Sequence, residues 1–342
     1  MLSIGKLGQG QADYYLEAVG QGVEDYYAGA GEAPGSWAGS AAGELELSGQ
    51  VDGELLHRVL AGEDPKTGEA LAQLSRGGVR VPGFDLTFSA PKSVSVLFGL
   101  GDSELSGEVR EAHEAAVAGA LGYMERQGAV ARRGHGGTES VLGNGFLAAA
   151  FRHRTSRAGD PQLHTHVLVA NMTRGPDGRW TALDARRLYV NAKTGGYLYQ
   201  AQLRAELTRR LGVEWGPVRH GQADLTGIPS GVSRAFSRRR AELEQRMAER
   251  GERSSRAAQV AALDTRRAKD YSVAAETLGE EWRERARTLG LNPEQLRDLL
   301  GRVGARELDP AAVAAVEDEL VGPEFDWAAV DVHAPRRAAG VV

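Results

Sequence analysis

The stretch FLAAAFRHRTSRAGDPQLHTHVLVANMT, residues 146–173, decides how the chain is read. Two apolar runs flank Thr155–Gln162, and that spacer contains Gly159-Asp160-Pro161, a turn signal. Strands are expected over 144–154 and 163–173, joined as a hairpin. His164 and His166 are two residues apart, so a strand projects both from one face. His153 lies on the preceding strand, where antiparallel pairing would set it beside them. Three imidazoles on one face suit a divalent transition metal with open positions for a substrate. The competing reading is three unrelated polar residues on a strand surface.

A donor set of imidazoles leaves the charge of a dication uncompensated and attracts an anion, with phosphate the obvious one. Such an ion would polarise a phosphoryl oxygen and stabilise charge in an in-line displacement. A carboxylate could orient one imidazole through its other nitrogen. Asp85 is the candidate, mid-strand in Gly83-Phe84-Asp85-Leu86-Thr87-Phe88, where a carboxylate among apolar neighbours needs a partner. Pro82 and Gly83 keep open the alternative of a turn or strand-end aspartate.

Working outward, a helix over 11–28 is broken near Gly20-Gln21-Gly22, followed by a Gly/Ala/Ser-rich loop at 28–43 and a short helix near 53–61. Val79–Ser89 alternates as a strand, and helices follow from Ser93 to Leu100 and over 104–127. Further strands are expected at 129–134 and 180–183, a helix at 192–211 and a small hairpin at 213–227. Helices then dominate, at 230–250, 255–268, 274–289 and 292–301. The expected fold is an α/β core over residues 1–230, a helical extension over 231–305, and a linker or the edge of a further domain over 306–342.

The net charge of −5 divides unevenly. Residues 1–75 carry 3 basic and 12 acidic side chains, residues 76–256 carry 27 and 18, and residues 257–342 carry 11 and 16. Of the 27, all but Lys92 and Lys193 are arginine, which pairs bidentately with phosphate and suits a polyanionic partner. High-GC codon usage is the alternative cause. No apolar run approaches a membrane span, residues 1–30 do not read as a signal peptide, and cysteine is absent. Thiolate chemistry and disulfides are thereby excluded, which fits a cytoplasmic protein.

Tyr14-Tyr15 and Tyr26-Tyr27 form two doublets. Helix packing is the ordinary role of such residues, but a phenol also serves as a covalent nucleophile toward phosphorus. On one straight helix Tyr15 and Tyr26 would share a face yet stand ~16 Å apart. The glycine break would let the second pair swing in separately.

Together these residues resemble the MobF class of conjugative relaxases within the HUH endonucleases. The resemblance rests on Met1-Leu2-Ser3, the two doublets, and Asp85-Leu86-Thr87-Phe88-Ser89-Ala90-Pro91-Lys92-Ser93-Val94-Ser95. It rests further on Phe151–Ser156 running into Asp160–His166, and on Asn171-Met172-Thr173 with Asp177-Gly178-Arg179-Trp180. It implies an α+β fold with a central antiparallel sheet of about five strands, flanking helices and a mostly helical C-terminal extension. His153, His164 and His166 would hold a divalent metal, with magnesium or manganese in use and zinc or nickel as crystal substitutes. Asp85 would orient a histidine and help remove the tyrosine proton. Tyr14 would attack the scissile phosphate at an origin of transfer, leaving a 5′-phosphotyrosine and a free 3′-hydroxyl. Tyr26 would serve the second transfer, with Tyr15 and Tyr27 in support. The doublets are 12 positions apart, wider than the family pattern, which leaves Tyr26 against Tyr27 open.

Arg132, Arg133, Arg152, Arg154, Arg186, Arg187 and Lys193 are the candidate DNA contacts, each with a solvated surface role as the alternative. The implied partners are single-stranded origin DNA with an adjacent hairpin, accessory relaxosome proteins and a coupling protein, without membrane insertion. The implied location is the bacterial cytoplasm, with passage into a recipient cell while attached to DNA. No phosphate loop occurs, so a relaxase domain without a helicase is expected. Three rival readings remain: an HUH-type replication initiator, a metal-dependent phosphodiesterase without a covalent step, and a catalytically silent DNA-binding module.

Overall fold

The computed structural model describes residues 1–8, 35–72, 81–251, 254 and 275–303. Five strands build one antiparallel sheet, in the order β1 (Leu2–Lys6), β3 (Gly83–Ser89), β7 (Pro161–Ala170), β6 (Ala148–Thr155) and β2 (Ser36–Ala38). Alternation along these strands gives the sheet two apolar faces. Leu147, Ala149, Phe151, Leu168 and Ala170 are buried with residues of α1 (Ser40–Glu44) and α2 (Gly53–Ala61). Phe84, Leu86, Phe88, Leu163, Val167 and Val169 are buried in the other core. That core includes residues of α3 (Lys92–Leu100), α4 (Ser103–Gly128) and α5 (Ala185–Leu211). Only part of the first face is covered by α1 and α2, and the imidazoles occupy the same face nearer the β6–β7 turn.

Local chemistry sets the element ends. Asp52, Asp102 and Asp184 cap α2, α4 and α5 by accepting from backbone amides of each first turn. Helix α4 buries Leu105, Val109, Ala112, Ala116, Ala120 and Met124, the stripe expected of a helix lying on a sheet. Gly83 opens β3 opposite Ala170, and a Cβ there would lie 2.3 Å from the Val169 carbonyl oxygen. Only glycine permits that rung.

Two small ribbons stand apart from the main sheet. One pairs β4 (Val130–Arg133) with β5 (Glu139–Leu142), and the other β8 (Thr173–Arg174) with β9 (Trp180–Thr181). The chain ends its described course in α6 (Ser230–Ala235), α7 (Arg238–Glu249), α8 (Ala275–Thr288) and α9 (Pro293–Arg297). Phe236, Trp282, Leu291 and Leu296 from this region join the core beneath the helix-covered face. Met1–Val303 is one compact unit. Gly304–Val342 is divided from it and lies outside the described residues.

Several local expectations need correction. The N-terminal residues form an edge strand, β1, that was not expected. Part of the expected loop at 28–43 is β2 and α1. Helix α5 begins at Ala185 rather than 192, because Asp184 caps it there. The helix expected over 230–250 is two helices, separated where Phe236 turns fully into the core. The 213–227 hairpin is reduced to bridges between Trp215 and Leu225 and between Arg219 and Gln222. The expected helices over 11–28 and 255–268 lie outside the described residues.

Candidate metal centre

Register explains how three separated histidines meet. His153 on β6 stands directly across from His164 on β7, and His166 stands between Phe151 on β6 and Thr87 on β3. Their ring centroids are 5.0–5.1 Å apart, and one ligand atom from each lies within 4.8 Å of the others. No other group of three metal-ligating side chains is found among the described residues.

The second ring nitrogens are already engaged. His164 Nδ1 donates to the Gln162 carbonyl at 2.8 Å. His166 Nδ1 donates to the Asp85 carboxylate, 2.9 Å from each oxygen. Thr87, two residues along β3 and on the same face, donates its hydroxyl to Asp85 at 3.1 Å and stands 3.1 Å from His166 Nδ1. These bonds fix the tautomers of His164 and His166 with the proton on Nδ1, so Nε2 of each ring carries the lone pair with which an imidazole binds a metal. Burial, then the neighbouring His164 and His166, holds His153 well below the usual imidazole range. His164 is pushed down to about 3, chiefly by burial and then by His166. His153 and His164 are therefore held neutral, which is the ligating form. Three imidazole nitrogens with a shared focus, two of them on rings braced through Nδ1, fit a divalent metal.

The described residues place the other candidates variously. Asp85 is where a histidine-orienting carboxylate belongs. Tyr14, Tyr15, Tyr26 and Tyr27 lie outside the described residues. Arg152 and Arg154 flank His153 but point to the opposite face. There Arg152 lies 3.1 Å from Glu114, and Arg154 lies 5.4 Å from the Trp282 ring centroid. Arg133 makes a two-pronged pair with Asp177 at 2.6 and 2.9 Å, and Arg186 grips its neighbour Asp184 at 3.0 Å. Arg132, Arg187 and Lys193 are exposed, with Lys193 Nζ 5.6 Å from the Tyr197 ring.

Sequence reasoning missed Thr87, although its spacing from Asp85 signals a shared strand face. It also missed a buried chain on the sheet's other side. His113 of α4 joins the Tyr199 hydroxyl at 2.7 Å to Thr165, the residue between His164 and His166, at 2.8 Å.

Residues 8–289 match the family model described as TrwC relaxase. Among curated relatives, the multifunctional conjugation protein TraI of Escherichia coli is 34% identical over 310 residues. That alignment covers 86% of this chain and 16% of the relative. The TraI of strain K12 is 35% identical over 299 residues, covering 84% and 16%. The chain thus spans about a sixth of the length of these proteins.

Among solved structures, a copper-bound conjugative relaxase TrwC in complex with oriT DNA superposes with a TM-score of 0.73 at 34% identity. It covers 85% of this chain and 99% of that one. TrwC complexed with a 27-mer comprising the recognition hairpin and the cleavage site gives 0.70 at 33%, with the same coverage. With the sheet, the braced histidine triad and the family match all on the same residues, the chain belongs to the TrwC relaxase family.

Proposed function

We propose that this chain is a conjugative relaxase domain that nicks one DNA strand at an origin of transfer and later rejoins it by strand transfer. The observation that carries the proposal is the imidazole triad with Asp85 behind it. A related TrwC has been solved metal-bound in complex with oriT DNA, which supports the same substrate class here. A bound divalent ion would supply Lewis acidity at a phosphoryl oxygen of the scissile group. His153, His164 and His166 would hold it, and Asp85 would keep the His166 proton on Nδ1. Magnesium or manganese is proposed in use, with zinc or nickel able to occupy the same nitrogens.

The phenol oxygen of Tyr14 attacks phosphorus, the bond from phosphorus to the 3′-oxygen breaks, and that oxygen leaves as a 3′-hydroxyl after taking a proton. Asp85 assists loss of the Tyr14 proton. The product is a 5′-phosphotyrosine ester, and because it conserves bond energy, a free 3′-hydroxyl can reverse the step without a nucleotide triphosphate. Tyr26 serves the second transfer, with Tyr15 and Tyr27 in support. Arg132, Arg187 and Lys193, exposed and cationic, suit contacts to DNA phosphates. Arg133, Arg152 and Arg186 are already paired with Asp177, Glu114 and Asp184, and Arg154 stands over Trp282, so they rank behind these three as phosphate contacts. Accessory relaxosome proteins, a coupling protein, a cytoplasmic site of action and passage into a recipient cell complete the proposal. Among the described residues no helix is long and apolar enough to cross a membrane.

The test is incubation with labelled single-stranded fragments tiled across a cognate origin region, followed by denaturing electrophoresis. A covalent adduct that disappears in Tyr14→Phe supports the proposal. Cleavage without an adduct points to a water-using phosphodiesterase, and binding alone to a silent module. An adduct that survives both Tyr14→Phe and Tyr15→Phe, singly and together, overturns the nucleophile assignment.

A further inference from the structure

All three imidazoles of the metal centre sit on one hairpin, β6–β7, and residues from far along the chain hold the tip of that hairpin. Asp160, at the end of the turn, is fully buried. Its carboxylate accepts from Arg238 N at 2.8 Å, from Arg238 Nε at 2.9 Å and from Arg285 Nη2 at 2.7 Å. Arg238 is the first residue of α7, whose N-cap Ser237 makes no side-chain capping bond. Asp160 therefore supplies, from the hairpin, the acceptor and the negative charge that a helix N-terminus favours.

Adjacent groups grip the same turn. The Trp282 indole donates to the Gly159 carbonyl at 2.8 Å, and Lys92 Nζ donates to the Pro161 carbonyl at 2.8 Å. Arg154, one residue past His153, stands over the Trp282 ring, and the Arg285 guanidinium stacks 4.1 Å from the Phe236 centroid. Trp282 and Arg285 belong to α8.

The ladder between this tip and the ligands is irregular. Pairing runs in register through His153 and His164, then shifts before Thr155 and Pro161. An irregularity of this kind bends a strand and re-aims the side chains beside it. On the turn side Thr155 pairs with Pro161 and Ser156 N donates to the Asp160 carbonyl at 2.8 Å, but out of register with the His153–His164 rung. The hold on the tip therefore adds to what sets the two ligands against each other.

We infer that Asp160 is a positioning residue of the metal centre, tying the ligand-bearing hairpin to α7 and α8 so that these helices set the spacing of His153, His164 and His166. The inference rests on the metal-binding reading above. Asp160 touches neither metal nor substrate, and acts through the turn it anchors. A contact that served folding alone would lower stability and leave ligand geometry as it was.

The experiment is a Co²⁺ titration of the chelator-treated full chain, following the visible d–d bands, on the unaltered protein, Asp160→Asn, Trp282→Phe and Arg210→Ala. Arg210 is the reference, because its ion pairs with Glu108, Glu111 and Glu206 include no residue of the hairpin. Asp160→Asn is expected to weaken Co²⁺ binding by about tenfold and to alter the band shape. Trp282→Phe should shift both in the same direction by less, and Arg210→Ala should lower the melting temperature with native Co²⁺ affinity and spectrum. Native affinity and a native spectrum in Asp160→Asn would overturn the inference. If that variant does not fold, the same result in Trp282→Phe overturns it equally. Absence of Co²⁺ binding by the unaltered chain would instead sink the metal reading itself, before any substitution is compared.

Discussion

Asp85 faces His166 with both oxygens at one distance, so the imidazole proton is shared across the carboxylate and the ring cannot swing without losing a charged partner. Asparagine in its place keeps the shape and one acceptor but removes the charge that makes the ring a stronger donor to a metal. Asp85→Asn is expected to lower metal affinity by about 10- to 100-fold and DNA adduct formation with it, measured by calorimetric Zn²⁺ titration beside the adduct assay. Thr87→Val, which removes the hydroxyl that meets Asp85 and His166 Nδ1 but leaves the carboxylate in place, should cost less than Asp85→Asn in the same titration. The meeting of His153, His164 and His166 was legible in the sequence because a two-residue spacing on a strand and a turn between strands leave one geometry. Asp85 was legible as a polar residue in an apolar strand. Thr87 and Asp160 were not singled out, because threonine and aspartate are ordinary in strands and turns, and only the folded register shows whom they meet.

At the scale of elements, β3 carries Asp85 between β1 and β7, so whatever holds its register holds the centre. Gly83→Ala would drive a Cβ against the Val169 carbonyl. It is expected to destabilise by about 1–3 kcal/mol, seen as a lower urea midpoint at unchanged slope. Gly107, on α4 with nothing within 4 Å of an added Cβ, should respond oppositely. Gly107→Ala is expected to stabilise by about 0.5–1 kcal/mol in the same measurement, because alanine restricts the unfolded chain and favours helix. The strands and helices with a clear period, β3, β6, β7, α3 and α4, were legible to within a few residues. Those that escaped lacked such a period. Strand β1 is short and exposed along one side, and the first turns of α5 combine Arg186, Arg187 and Val190 on outward faces. Helices α6 and α7 look continuous in sequence because the residue dividing them, Phe236, is apolar and fits either role.

Across the whole molecule, folding takes several imidazoles out of water, and that couples stability to pH. His113 is fully buried and pushed down to about 3, chiefly by burial, while its bonds to Tyr199 and Thr165 use both ring nitrogens. His164 is pushed down to a similar value by burial and by His166. An unfolded chain binds a proton at each of these sites below its ordinary imidazole value of about 6.5, whereas the folded chain does not until about pH 3. Unfolding therefore takes up protons across that window. Stability is fully present above about 6.5 and falls as the pH drops toward 3, at up to about 1.4 kcal/mol per pH unit for each group. His113→Gln replaces the ring with an amide able to bond to both neighbours without titrating. In chelator-treated protein it should cost stability at neutral pH, by about 1–3 kcal/mol from imperfect geometry, yet flatten the acid limb by one group's share. Urea unfolding at half-unit steps from pH 4 to 7 measures both. A variant whose curve stays parallel to that of the unaltered protein would show that His113 does not carry the acid sensitivity.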